Sequence, residues 1–176
     1  MPPHCDTVDG PVVKAAMKAL EAGEVDIILP YVPGESEEEV VRAFEKVLQA
    51  RKGGAAAREV ADRYFCETVV RIHRAGEGAP FTGLKPAGLD VGPVIPVAEQ
   101  AIDTGSPGAL LDLMSDMVRD EVKRRFEHVM HLKAHAGRGV EDAREYVSAM
   151  LGLQVYAHAL YQTIKADPHA GHHGHE

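Results

Sequence analysis

Tryptophan is absent from this 176-residue chain, and aromatic residues make up only 5% of it. Ala and Leu must then do much of the packing, which favours helices. Cysteine is almost as scarce. Cys5 and Cys66 are too few for a disulfide scaffold and read as free thiols, at least one of them a candidate ligand. Positive charge is short: 19 Lys and Arg stand against 27 Asp and Glu, a formal net charge of −8. Nucleic acid and anionic membrane surfaces need clustered cations, so neither is expected as the main partner. No apolar run approaches the roughly 20 residues that span a bilayer. Lys14 and Lys18 interrupt the first apolar stretch, so no secretory leader is expected and the chain reads as cytoplasmic. Catalytic signatures of the GxSxG, HExxH, CxxC and phosphate-loop types are missing as well.

What is present is 45% apolar and 26% charged residues, the balance of a globular chain. The length fits one domain with one substantial core. Asp9 or Gly10 can cap a helix that starts at Pro11, carries Val12, Val13, Ala16, Met17 and Leu20 on one face and stops at Gly23. The stretch EVDIILPYVP is broken by Pro30 and Pro33 and allows only a short turn or an extended piece. Ser36 with Glu39 forms a capping-box pattern before a second helix with Val40, Phe44, Val47 and Leu48 on its stripe. A third helix ends near Gly76 and buries Ala61, Phe65, Val69 and Ile72. A long stretch rich in Gly and Pro follows, and loops of that kind are often functional. After a short helix near Ile95 to Ile102, a long helix opens at Ser106-Pro107 with Leu111, Met114, Val118, Val122, Val129 and Leu132 inward. A last helix turns Val147, Met150, Leu151 and Tyr161 inward. The expected fold is all-α: a single-domain bundle of four or five main helices over residues 1–166, with a disordered His-rich tail at 167–176.

Polar side chains that interrupt the apolar stripes mark where chemistry would sit. On the last helix, Gln154 and His158 lie on the same face as Val147 and Leu151, with Tyr161 close by. A buried His or Gln needs a partner, a water or a metal. On the third helix, Asp62, Cys66 and His73 share one flank and form a candidate ligand strip; Cys66 also fits a small core side chain, and His73 a helix C-terminal charge. His128, His131 and His135 fall on one side of the long helix, where a solvated basic face is expected; His128, which shares its flank with Leu110 and Met117, is the best inward candidate of the three. In the tail, His169, His172, His173 and His175 form a loose capture element for Ni, Zn or Cu. At the start, His4, Cys5 and Asp6 stand consecutively before the first helix, where an irregular hook can wrap an ion. Thiolate with imidazole suits a transition metal better than Mg or Ca. Asp9 is better read as the cap of the first helix.

The stretch HCDTVDG resembles the nickel hook of the nickel superoxide dismutase family, which reads His-Cys-Asp-x-x-Cys-Gly. That family is a hexamer of four-helix bundles, whose nickel is held by the first His, two Cys and backbone nitrogens. The resemblance sets His4 and Cys5 on the first two ligands and Gly10 on the hook glycine. The chain departs from the pattern at Asp9, which stands where the second thiolate belongs, and at Met1-Pro2-Pro3, which precede His4. The stretches HCDTVDGPVV, RIHRAGEGAPFTGLKPAGLDVGP and EYVSAMLGLQVYAHALY also resemble a widespread bacterial family of helical proteins of unknown function, which implies a stand-alone helical protein and no particular activity.

Three readings stay open from the sequence. In the first, His4, Cys5, Asp6, Cys66, His73 and His158 hold a transition metal (Ni, Zn, Cu or Fe) inside a bundle, with Gln154 and Tyr161 in support, for redox or hydrolytic chemistry on a small molecule such as superoxide or peroxide. In the second, the same ligands and the His-rich tail serve a metal carrier, sensor or store. The third is a structural or interaction protein whose polar groups satisfy one another. A homo-oligomer is compatible with all three.

Overall fold

The structure is a computed structural model and describes residues 3–166. It is all-α, with no strand among the described residues. The helices are α1 (Pro11–Ala22), α2 (Glu37–Ala50), α3 (Ala55–Gly76), α4 (Val94–Thr104), α5 (Gly108–Lys133) and α6 (Val140–Lys165). The chain divides into two compact units, Met1–Val91 and Gly92–Glu176.

In the first unit, α1 and α2 both pack on α3. The core is Val12, Val13, Ala16, Ala19 and Leu20 of α1, Val40, Phe44 and Val47 of α2, and Ala61, Phe65, Val69, Val70 and Ile72 of α3. Small and branched side chains fill it, as the shortage of aromatics requires. Phe44 and Phe65 meet at 5.6 Å between ring centroids, a tilted pair of the preferred kind. Phe65 is fully buried, so truncating it to Ala would cost about 3–5 kcal/mol. Gly23 ends α1 in the left-handed conformation, with its N–H on the Ala19 carbonyl. The ambiguous stretch folds as two tight 3-10 turns, Val25–Ile27 and Leu29–Tyr31.

Of the two caps expected for α1, Asp9 or Gly10, the preference for Asp9 is corrected, and so is the capping box expected at α2. The N-cap of α1 is Gly10, which makes no side-chain cap. Asp9 instead accepts a hydrogen bond from the Gly88 N–H at 2.9 Å. That contact and the Thr7 hydroxyl hold its carboxyl below the usual range. Ser36 likewise makes no side-chain cap at α2, and Glu39 pairs with Arg71 of α3. Local sequence offers a cap; a longer-range partner for the same carboxylate outweighs it here.

The Gly/Pro-rich stretch after α3 is tied to the N-terminal segment. Lys85 N–H donates to the Asp6 carbonyl at 2.8 Å, and Val8 N–H donates to the Lys85 carbonyl at 3.0 Å.

In the second unit, α5 packs along α6, and α4 against α5. Arg125 of α5 lies over the Tyr156 ring of α6, 4.2 Å from its centroid. Of the expected α5 stripe, Val129 is buried and Val118, Val122 and Leu132 are half-buried, while Leu111 and Met114 are exposed. The expected inward face of α6 is corrected too: Val147, Leu151 and Tyr161 are exposed, and Met150 is half-buried.

Candidate metal centre

The N-terminal hook is a 3-10 turn, Pro3–Asp6, that ends where the chain bends into α1. Thr7 closes it by donating both its N–H (3.3 Å) and its hydroxyl (2.9 Å) to the His4 carbonyl. The bend is so tight that a Cβ on Gly10 would lie 2.0 Å from that carbonyl oxygen. Glycine is therefore required sterically, and the hook is held against α3.

α3 presents His73 and Glu77 from its C-terminal end, one turn apart. Gly76 lies between them because the chain at Pro33 passes close: a Cβ there would sit 2.4 Å from Pro33 Cγ. This approach sets the Tyr31 carbonyl 2.7 Å from His73 Nδ1. A carbonyl can only accept, so Nδ1 carries a proton, and in the neutral ring the lone pair is then on Nε2. Nε2 is enclosed, and it lies 3.3 Å from Glu77 Oε1 without hydrogen-bond geometry.

Cys5 completes the arrangement. One ligand atom each from Cys5, His73 and Glu77 lie within 4.8 Å of one another, and all three residues are half-buried. Ligand atoms around a tetrahedral zinc-type ion are about 3.3–3.8 Å apart, given bonds of about 2.0–2.3 Å, so small side-chain rotations would close this set on an ion. Among the described residues this is the one group of three His, Cys, Asp or Glu side chains that converges so.

Asp6 is the most buried of the neighbouring acids, and it faces a cation of the protein itself. Its Oδ1 lies 3.2 Å from Arg74 Nε. Arg74 also reaches Glu77 Oε2 at 3.2 Å, so one guanidinium bridges the carboxylate of the hook and that of the helix end. The formal charges of Asp6, Glu77 and Arg74 sum to −1, and a Cys5 thiolate would make −2, the complement of a divalent cation.

The other expected ligands lie elsewhere. His4 is half-buried in the hook turn, and its side chain is not one of the three that converge. Cys66 is buried on α3, on the wall of a cleft of about 470 Å³ shared with Val8, Met17 and Leu84. Burial, with Asp62 and Glu67 nearby, pushes its thiol up to about 11, so it is protonated at neutral pH. Asp62 is paired with Arg51 at 2.8 Å and Arg58 at 3.7 Å, so the expected strip of Asp62, Cys66 and His73 does not converge. His158 and Gln154 belong to the second unit and are exposed; the His158 ring stacks on Tyr161 at 6.4 Å. His131 is exposed as expected; His128, the inward candidate of that group, is corrected to exposed, and His135 is half-buried, edge-on to His131. His169, His172, His173 and His175 lie outside the described residues.

Sequence reasoning missed Glu77. Its signal was the four-residue spacing from His73 at a helix end, which puts two ligands on one face. Gly76 masked it by marking the helix stop.

The chain belongs to a family of unknown function, DUF6448, whose pattern it matches over residues 9–156. That range includes His73 and Glu77 but begins after Cys5. No curated protein and no solved structure matches the chain.

Proposed function

We propose that the protein binds one divalent transition-metal ion through Cys5 Sγ, His73 Nε2 and a Glu77 carboxylate oxygen. The observation that supports this most strongly is the pairing of His73 Nδ1 with the Tyr31 carbonyl. Metal-bound imidazoles characteristically donate their second nitrogen to such an acceptor, which fixes the ring and its tautomer. A sulfur, nitrogen and oxygen donor set suits Zn, Ni, Cu or Fe over Mg or Ca. Three protein ligands leave a coordination position open, the pattern of catalytic sites, where closed structural sites use four. That position would take water, which the ion would polarise, or, for a redox-active ion, a small oxidant such as superoxide or peroxide.

A second reading rests on Arg74. Its bridge from Asp6 to Glu77 also fits a metal-free polar clasp that fastens the hook to α3.

Elemental analysis and calorimetric titration separate the two. The chain used has its four tail histidines (His169, His172, His173 and His175) replaced by Ala, so that the tail does not contribute. One metal equivalent is expected, with affinity reduced at least about 10-fold in Cys5→Ser and in Glu77→Gln. Unchanged binding in both variants, or none in the parent, sinks the proposal. Consumption of superoxide or peroxide by the loaded chain then distinguishes catalysis from metal carriage.

A further inference from the structure

We propose that the outer face of α6 is a self-association surface, on which a second copy of this chain packs antiparallel. The inference is independent of the metal centre. Among the described residues of the second unit, Val129 alone of the apolar side chains is buried, although α5 and α6 are 26 residues long each. Apolar and weakly polar residues instead run along α6 on the side away from the residues facing α5. Val140, Val147, Gln154 and Tyr161 recur every seven residues, and Leu151 and His158 fall four after Val147 and Gln154. This alternation of three and four is the seam of helices that pair lengthwise. Val155 and Ile164 widen it, at 68% and 71% exposed.

Area and charge both favour a second copy as the occupant. Val140, Val147, Leu151, Val155, Tyr161 and Ile164 are each 43–71% exposed, a continuous apolar surface of the kind that specific interfaces bury, at about 800 Å² per partner. Between Arg144 and Lys165, which bound the seam at its two ends, Ser148, Val155 and Gln162 on one edge and Met150, Ala157 and Ile164 on the other carry no charge, so the middle of the seam meets an identical copy without repulsion. α6 begins with Glu141 and Asp142 and has Lys165 in its last turn. Antiparallel pairing brings Glu141 and Asp142 of each helix, with Arg144 between them and Glu145, to Lys165 of the other, so the net-negative start meets the basic end, and it closes as a two-fold interface. With the axis at Gln154, the two carboxamides meet each other, Val147 lies opposite Tyr161, and Leu151 lies beside His158. A polar pair at one seam position fixes the register. Two α5–α6 hairpins joined in this way form a four-helix bundle, which supplies the core the single hairpin lacks.

Sedimentation equilibrium of the full chain across a concentration series tests this. The expected mass is twice the 19.0 kDa of one chain. Leu151→Glu should sediment as a single chain with the helical circular dichroism of the parent. Gln154→Cys guards against a folding defect in that variant: mild oxidation should link two copies, while the parent, with Cys5 and Cys66 only, should not link. A parent that sediments as one chain throughout overturns the proposal, whether the seam is bare or covered by residues 1–91. So does a Gln154→Cys chain that links no more than the parent.

Discussion

His73 Nδ1 lies 2.7 Å from the backbone carbonyl of Tyr31, a residue 42 positions away in sequence. That hydrogen bond decides which ring nitrogen remains for Cys5 and Glu77. It exists because Pro33 packs on Gly76, where no side chain intervenes. Gly76→Ala is expected to push Pro33 and the Tyr31 carbonyl away and to loosen the ring. Metal affinity should fall about 10–100-fold, the usual effect of losing a ligand's supporting contact, with α3 still helical by circular dichroism. An affinity equal to that of the parent would show that the Tyr31 contact does not orient the ligand.

Gly10→Ala drives a methyl group into the His4 carbonyl. The clash is with backbone, so the hook must shift as a whole. A loss of about 1–3 kcal/mol in urea unfolding is expected, the usual cost of overpacking. Hydrogen exchange at the Thr7 amide, which bonds that carbonyl, should accelerate in the variant.

Arg74 is the single cation on two carboxylates and is itself largely enclosed, at 11% exposure. Arg74→Met leaves Asp6 buried without its counter-charge. The metal-free chain should lose about 3–5 kcal/mol, the range for breaking a buried pair. Added divalent metal should raise the melting temperature of this variant by more than it raises that of the parent, because the ion restores the missing charge. An equal rise in both would argue that the ion and Arg74 do not share a site.

Cys66 gives a pH dependence of defined sign. Burial pushes its thiol from 9.0 to about 11 in the folded chain, so the unfolded chain releases the proton first. The stabilisation from keeping Cys66 neutral is full below about pH 9 and is lost as pH rises towards about 11. Thermal unfolding between pH 8 and pH 11 should fall less steeply in Cys66→Ala than in the parent. At pH 8, alkylation of the folded chain should reach Cys5 and spare Cys66.

Much of the first unit was legible in the sequence. The spacing of Val12, Val13, Ala16 and Leu20, and of Ala61, Phe65, Val69 and Ile72, names the buried faces, and Gly23 and Gly76 mark the stops. Cys5 and His73 were legible as ligand candidates because thiol and imidazole are the side chains that suit a transition metal, and the thiol stands out in a chain with two cysteines. Asp9 and Ser36 misled as caps, because a carboxylate or hydroxyl at a helix start is read locally while its partner is chosen globally. Glu77 was hidden among many acids, and only its distance from His73 and Cys5 sets it apart.

Helix positions, stops and apolar faces were determined by the sequence itself, because 3.6-residue periodicity and the backbone limits of Gly and Pro act within a few residues. The convergence of Cys5, His73 and Glu77 was decided by tertiary structure, because it depends on the Gly10 bend, the Pro33–Gly76 approach and the Arg74 bridge between distant segments. The seam of α6 shows the same division. Periodicity specifies that Val147, Leu151 and Tyr161 form an apolar face, but a face carries no record of what covers it, and only the folded chain reveals that α5 lies on another side.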